Sequence, residues 1–405
     1  MMEDYRKLTT MEVVEYVKTI PGLFPKQAEL TCREVGGGDL NLFFRVQERE
    51  NKNNSVILKQ ALPFTRTWGP SWPLNYDWIR VEYETLSIQN ELCGDLVPNV
   101  YHFDKKLSLI IMEDLSTYHI LKKGFNVQNC YHYLPKHIGT FLARTLFLTS
   151  DFGAASEERQ RFKTQFQNEA MRRISEEINF TYPFTEHQAD CFDPLIKASL
   201  SEIYYNDELK AEIEKIKHQF TSNKQALIHG NLHIGNIMVT DNDTKVINAE
   251  FASYGPMGFD IGVFIANVLM AYVCIGKDKH MAYKNYLLDL IQAVWDEFEG
   301  AFRQLSEQPG NDTLMLTNPN RFLSTLLHDS LGFAGCELMR RVIGTSCAED
   351  LERIENDETR ATVETFALFI GQHLVLKRNH VQNLNELILS LQQLENSNGQ
   401  RDSIV

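Results

Sequence analysis

The 405-residue chain is 43% hydrophobic and 23% charged, which places it among globular proteins and leaves out collagen-like, disordered and membrane-embedded compositions. Its net charge of −14 repels polyphosphate backbones and anionic bilayers over most of the surface, so neither nucleic acid nor membrane is an expected partner. An anionic small molecule such as ATP remains admissible, because helix N-termini, backbone N–H groups and a few placed cations outweigh a distant, screened charge.

Seven cysteines are scattered without a C-x-x-C pair or a His-Cys cluster, and the opening Met1-Met2-Glu3-Asp4-Tyr5 is polar and acidic; both features lead us to expect a reducing, cytoplasmic setting. Thr9 and Glu12 have the spacing of a capping box, and Val13, Val17 and Ile20 share one helical face, which predicts a short amphipathic helix. From Leu30 to about Lys59 the period changes to two: Leu42, Phe44 and Val46 alternate, and Val56-Ile57-Leu58 follows a polar turn, which predicts a hairpin with Gly36-Gly37-Gly38 at one end. Leu107, Leu109 and Ile111 predict a further strand, running into Met112-Glu113-Asp114-Leu115.

Beyond residue 116 the pattern is mainly helical. Asn206 or Asp207 caps a helix whose face is Leu209, Ile213, Ile216 and Phe220. One compact β island interrupts the helices, formed by Ala226-Leu227-Ile228, Ile237-Met238-Val239 and Val246-Ile247. Ile261 to Ile275 is the most apolar run; it contains Asn267 and is too short to span a bilayer, so we expect a buried helix. A polar, frayed tail is expected from Glu395 to Val405. The expected fold class is α+β: a two-lobed, protein-kinase-like arrangement with a β-rich N-terminal lobe over residues 1–115 and a larger helical C-terminal lobe over 116–405.

Two polar segments carry the chemistry. Ile228-His229-Gly230-Asn231-Leu232-His233-Ile234-Gly235-Asn236-Ile237 is followed closely by Val246-Ile247-Asn248-Ala249-Glu250-Phe251. Phosphoryl transfer needs one loop to position the acceptor hydroxyl and another to hold a metal on the triphosphate, and polar residues between apolar strands suit both. Either segment alone is equally a hairpin with polar loops. The glycines at 36 to 38 remove side chains where backbone approaches phosphate, although such a cluster also makes an ordinary turn. Lys59 is either a phosphate clamp or a snorkelling strand-end lysine. Arg340 and Arg341 are adjacent on a helix and face different ways, so at most one reaches a substrate while the other holds an ion pair. His229 and His233 read as structural braces rather than metal ligands, with no third ligand near in sequence.

The second segment continues through Tyr254-Gly255-Pro256-Met257-Gly258-Phe259-Asp260-Ile261-Gly262, and with it the chain resembles the 5-methylthioribose kinases of methionine salvage, within the choline kinase and aminoglycoside phosphotransferase superfamily. The family's motifs are H-G-D-L-H-x-G-S and I-D-x-E-F-x-x-x-G-P-x-G-F-D-x-G. Val35 to Asn41 resembles its glycine loop, Lys59 to Pro63 its phosphate-lysine strand, Ser71-Trp72-Pro73-Leu74 its tryptophan loop, Met112 to Ser116 its lobe connection, and Gly332 to Arg341 its arginine helix. The resemblance implies a kinase that phosphorylates the 1-hydroxyl of 5-methylthioribose with ATP and Mg²⁺, as a homodimer. It implies that Gly36, Gly38, Asn41 and Lys59, with Glu113, Asp114 and Leu115 at the lobe connection, bind ATP. It further implies that Asn248, Glu250 and Asn236 hold the metal, that Asn231 is the catalytic position, and that Asn231, Arg340, Arg341 and Trp72 meet the acceptor.

The chain departs from the family at two positions of consequence: Asn231 and Asn248 stand where the motifs carry Asp. An amide can neither accept the hydroxyl's proton nor attract a cation as a carboxylate does. Three explanations follow: a protein that binds ligand without turnover, a working kinase that recruits Asn236 and Glu250 for metal, or an active parent altered by Asp→Asn changes. A different small hydroxyl acceptor is a further alternative.

Overall fold

The computed structural model describes residues 5–37, 40–63, 77–185, 194–276, 280–308, 318–344 and 349–401. Helix α1 (Thr10–Lys18) opens on the expected capping box, with Thr9 and Glu12 each satisfying the other's backbone N–H. Strands β1 (Leu30–Gly37), β2 (Asn41–Glu48) and β3 (Ser55–Ala61), helix α2 (Asp77–Cys93), and strands β4 (Val100–Asp104) and β5 (Leu109–Glu113) follow. The five strands form one antiparallel sheet in the order β1-β2-β3-β5-β4.

Strand alternation gives this sheet two apolar faces. Leu42, Phe44, Val46, Val56, Leu58, Leu109 and Ile111 point to one side, where α1 covers them with Val13 and Val17 in a small core of its own. Ala61, Ile110 and Met112 point to the other side and join the main core with Trp78, Ile79, Val81 and Leu86 of α2. Lys59, paired in register with Phe43 and Ile110, falls on this second face. Its ammonium is thereby directed between α2 and the helical lobe.

The helical lobe begins with β6 (His119–Ile120), α3 (Leu121–Asn126) and α4 (Leu134–Leu148), then α5 (Ser156–Gln165), α6 (Glu169–Glu176), α7 (Lys197–Tyr204) and α8 (Asp207–Ser222). Asn206, rather than Asp207, caps α8. Strands β7 (Ala226–Ile228), β8 (Ile237–Val239), β9 (Thr244–Val246) and β10 (Ser253–Gly255) are short. They do not make the single island read from the sequence. β7 pairs with β10, whereas β8 lies between β6 and β9 and pairs with both. Each polar segment therefore runs between the two small sheets, the first from β7 to β8 and the second from β9 to β10.

Helices α9 (Gly258–Cys274), α10 (Met281–Ser306), α11 (Pro319–Ile343), α12 (Glu349–Glu352), α13 (Asp357–Lys377) and α14 (Leu384–Arg401) complete the chain. α9 is the expected buried helix, almost wholly enclosed. α11 and α13 touch through glycines: a Cβ at Gly335 would sit 2.6 Å from the Gly371 carbonyl oxygen, closer than any side chain tolerates. Among the described residues no helix is long and apolar enough to cross a membrane. The tail expected to fray is helical to Arg401 instead, because Glu395 accepts from Tyr272 Oη and forms an ion pair with the buried Lys284.

Candidate active site

Lys59 is fully enclosed, and its ammonium makes three contacts that join distant parts of the chain. Nζ donates to Glu82 Oε1 at 2.7 Å, to Glu250 Oε2 at 2.8 Å and to Asn248 Oδ1 at 3.2 Å. Glu82 comes from α2, and Asn248 and Glu250 from the turn after β9. Asn41 at the start of β2 adds a fourth element, donating Nδ2 to Glu250 Oε2 at 3.0 Å. Burial opposes the charge on Lys59, but Glu250 and Glu82 outweigh it and hold the ammonium protonated above its ordinary range. Burial pushes the Glu82 carboxyl up to about 7, with Lys59 pulling the other way and Glu250 adding to the rise.

The two loops are built to meet this cluster. After β7 the chain turns at Gly230, where φ is +77° and a Cβ would lie 2.2 Å from the Phe251 carbonyl oxygen, so only glycine fits against the neighbouring loop. Asp260, in the first turn of α9, accepts the His229 and Gly230 N–H groups at 2.6 and 2.9 Å. His229 Nδ1 accepts the Asn231 N–H at 3.3 Å while Nε2 lies 2.9 Å from the Ile247 carbonyl oxygen, which ties the first loop to the second. Burial lowers this imidazole to about 4, so it braces as a neutral ring. On the other side Asn168 Nδ2 donates to the Glu250 and Ala252 carbonyls at 3.0 and 2.8 Å. Asn248 itself has a left-handed backbone, φ 62° and ψ 54°, which Asn tolerates better than most residues.

A head-to-tail run of amides links the lysine to the first loop. Lys59 donates to Asn248 Oδ1, Asn248 Nδ2 donates to Asn236 Oδ1 at 3.0 Å, and Asn236 Nδ2 donates to the backbone carbonyl of Asn231 at 3.0 Å. Lys59, Asn41, Asn248, Glu250, Asn236 and Asn231 therefore form one connected constellation, although they span almost the whole of β2 to β9.

The remaining sequence candidates are placed as follows. Gly36 has φ +65° with open space where a Cβ would stand. Glu113 accepts the Asn99 N–H at 3.0 Å, and Asp114 is paired with Arg45 at 2.6 Å and accepts from Ser55 Oγ at 2.5 Å. Both carboxylates are thus engaged within the protein, and Leu115 is buried. Arg340 is buried and ion-paired with Glu337 of the same helix, and Glu337 also accepts from Asn267 Nδ2 at 3.1 Å. Arg341 instead lines a cavity of about 660 Å³, whose wall includes His233, Ile234 and Gly235 of the first loop together with Lys122 and Asp350. Burial, then the positive Arg341 and Arg340, keep His233 neutral well below its ordinary range. Gly38 and Trp72 lie outside the described residues.

The phosphotransferase enzyme family (APH) profile matches residues 136–288. Among solved structures, choline kinase from Cryptosporidium parvum aligns over 92% of this chain and 99% of its own, with a TM-score of 0.48 and 14% identity. Methylthioribose kinase of Yersinia pseudotuberculosis serotype O:3 (strain YPIII) is 34% identical over 402 residues, 98% of each chain. Methylthioribose kinases of Geobacillus sp. (strain WCH70) and Bacillus cereus (strain G9842) are 36% and 38% identical, over 95% and 92% of this chain and 95% and 93% of their own. The chain belongs to the methylthioribose kinase family. Membership implies a kinase of small molecules that uses ATP with a divalent metal.

The donor set fits such a metal in type. Asn236 Oδ1, Asn248 Oδ1 and the Glu250 carboxylate are hard oxygen donors within one hydrogen-bonded group, and Asn41 Oδ1 beside them is buried without a hydrogen-bond partner among the described residues. Glu250 supplies the one negative charge among these four side chains. Two residues of this methylthioribose kinase family site escaped the sequence reading. Glu82 was legible in principle, as a carboxylate on the buried face of α2 beside Trp78, Ile79 and Leu86. Asp260 lies within the motif that carries the resemblance, but its role as acceptor for the first loop depends on the fold of α9 against β7.

Proposed function

We propose that this chain transfers the γ-phosphoryl group of ATP to the anomeric 1-hydroxyl of 5-methylthioribose, using Mg²⁺, at a rate reduced by the amides at 231 and 248. The observation that carries this reading is the meeting of the Lys59 ammonium with Glu250 and Asn248, joined through Asn236 to Asn231. In this scheme Gly36, Gly38 and Asn41 approach the phosphates, and Lys59 orients them, exchanging part of its hold on Glu250 for phosphate oxygen. The backbone between Glu113 and Leu115 meets adenine, since the Glu113 and Asp114 side chains are engaged elsewhere. Glu250, Asn248 and Asn236, with Asn41 Oδ1 at hand, hold Mg²⁺, which when bound neutralises charge on the transferred group.

Asn231 hydrogen-bonds the attacking hydroxyl, and Arg341 faces the sugar while Arg340 stays with Glu337. By the resemblance Trp72 also belongs to the acceptor side. The new O–P bond forms as the bond from the bridging oxygen to the γ-phosphorus breaks, and ADP leaves with that electron pair. The hydroxyl proton passes to a phosphoryl oxygen or to water, because the amide at 231 cannot take it. We place the protein in the cytoplasm as a homodimer, which sedimentation of the purified chain tests.

A second reading, favoured by the two amides themselves, is a protein that binds nucleotide or thiosugar without turnover. ADP release measured with ATP, Mg²⁺ and 5-methylthioribose decides between them. Turnover that depends on the sugar supports the kinase, whereas calorimetric binding of ATP with no sugar-dependent ADP release supports the binding protein. An acceptor panel of other sugars and amino alcohols in the same assay identifies a drifted substrate.

A further inference from the structure

The cavity beside the first loop contains a feature that phosphoryl transfer alone does not use. Its charged lining is mainly cationic, with Lys122 and Lys123 of α3, Arg341 of α11 and Arg353, and the carboxylate among them is Asp350 of α12. Asp350 is 8% exposed. Its Oδ2 lies 3.7 Å from Lys122 Nζ, an ionic contact too long for a hydrogen bond, and its Oδ1 has no hydrogen-bond partner among the described residues. A buried carboxylate with unused lone pairs is costly unless a ligand completes it.

We propose that Asp350 is a specificity-determining residue that accepts hydrogen bonds from the hydroxyl groups of the acceptor. The cations on the wall can only donate, and so can meet a sugar's oxygens but not its O–H protons. Asp350 is the charged acceptor of the set. The same wall contains His233 to Gly235, two residues beyond Asn231, so a polyol held by Asp350 lies beside the loop proposed to receive the reacting hydroxyl. A site built to bond a hydroxyl rejects the analogue lacking it strongly, because the buried partner is then left bare. The inference rests on the acceptor being a polyol, as in the function proposed above.

The test is calorimetric binding of 5-methylthioribose and of its 2-deoxy and 3-deoxy derivatives to the full chain, so that no turnover is needed. For the unaltered protein, loss of one of the two hydroxyls is expected to weaken binding tenfold or more. Asp350→Asn is expected to bind the parent sugar at least tenfold more weakly and to lose the distinction between parent and deoxy sugar. Lys122→Gln retains the carboxylate and is expected to keep that distinction, which a purely structural Lys122–Asp350 tie would not do. The proposal is overturned if Asp350→Asn keeps the parent-to-deoxy ratio, or if Lys122→Gln abolishes it as fully as Asp350→Asn. Should the unaltered protein bind ribose or another vicinal diol but not 5-methylthioribose, the named substrate is wrong and the same comparison, run with that sugar, judges Asp350. Binding of no diol at all overturns the role of Asp350.

Discussion

Restoring carboxylates at positions 231 and 248 should act in opposite directions on the empty and the loaded protein. In the empty protein Asn248 Nδ2 donates to Asn236 Oδ1 at 3.0 Å, and Asn236 Nδ2 donates to the Asn231 carbonyl. Asn248→Asp sets two oxygens against each other at the first of these links. Asn236 can rotate its amide to answer, but then leaves the Asn231 carbonyl, so one buried link is lost at a cost of about 1–3 kcal/mol. The new carboxylate gains little from Lys59, which Glu82 and Glu250 already share and whose charges repel a third anion. The empty variant is therefore expected to melt a few degrees lower. With Mg²⁺ and a non-hydrolysable ATP analogue the order should reverse, because a second carboxylate strengthens metal binding, and each tenfold gain in affinity adds about 1.4 kcal/mol of stability. Asn231→Asp in addition supplies a proton acceptor, worth about 10² to 10⁴ in rate. Thermal melts with and without metal–nucleotide, and ADP formation with 5-methylthioribose, read the two effects separately. If the double variant shows no crossing of melting temperatures and its turnover stays within about twofold, the amides are not the defect and the site assignment fails.

Three shorter predictions follow from the loop geometry. Gly230→Ala places a Cβ against the Phe251 carbonyl at a positive φ, and should cost about 3 kcal/mol or more in a denaturant melt while displacing the turn that carries Glu250. Asp260→Asn leaves the His229 or the Gly230 N–H facing an amide NH₂ and should cost about 1–3 kcal/mol, with turnover falling as the first loop loosens. Glu82, held to about 7 in the folded protein against an ordinary 4.5, binds more protons folded than unfolded between those values. Its contribution to stability is therefore full below about 4.5 and lost as pH rises through about 7, and Glu82→Gln should remove that slope from a pH series of melts. Nucleotide phosphates arriving beside Glu82 should raise it further, so calorimetry above pH 7 in two buffers of different ionisation enthalpy should show proton uptake that the variant lacks.

What could be read from the residues was local, and what could not was decided by partners far away in the chain. Period-two alternation of Leu42, Phe44 and Val46 was enough for strand β2, and the three-residue spacing of Thr9 and Glu12 was enough for the first cap. The capping choice between Asn206 and Asp207 was open in sequence because both residue types cap, and the Asn206 oxygen reaching the Leu209 N–H settles it. The division of the β island could not be seen, because β10, Ser253-Tyr254-Gly255, has no apolar run to mark it as a strand and its pairing with β7 depends on α9 folding back to bring Asp260 under Gly230. Glu395 reads as part of a solvated tail until Tyr272 and Lys284, more than a hundred residues earlier, are brought beneath it. The same reasoning accounts for the site. Asn231 and Asn248 look like two independent losses in the sequence, but in the structure Asn236 holds both the Asn248 side chain and the backbone carbonyl of Asn231, so a change at 248 that turns Asn236 also loosens the loop that carries residue 231, and the two effects should not add.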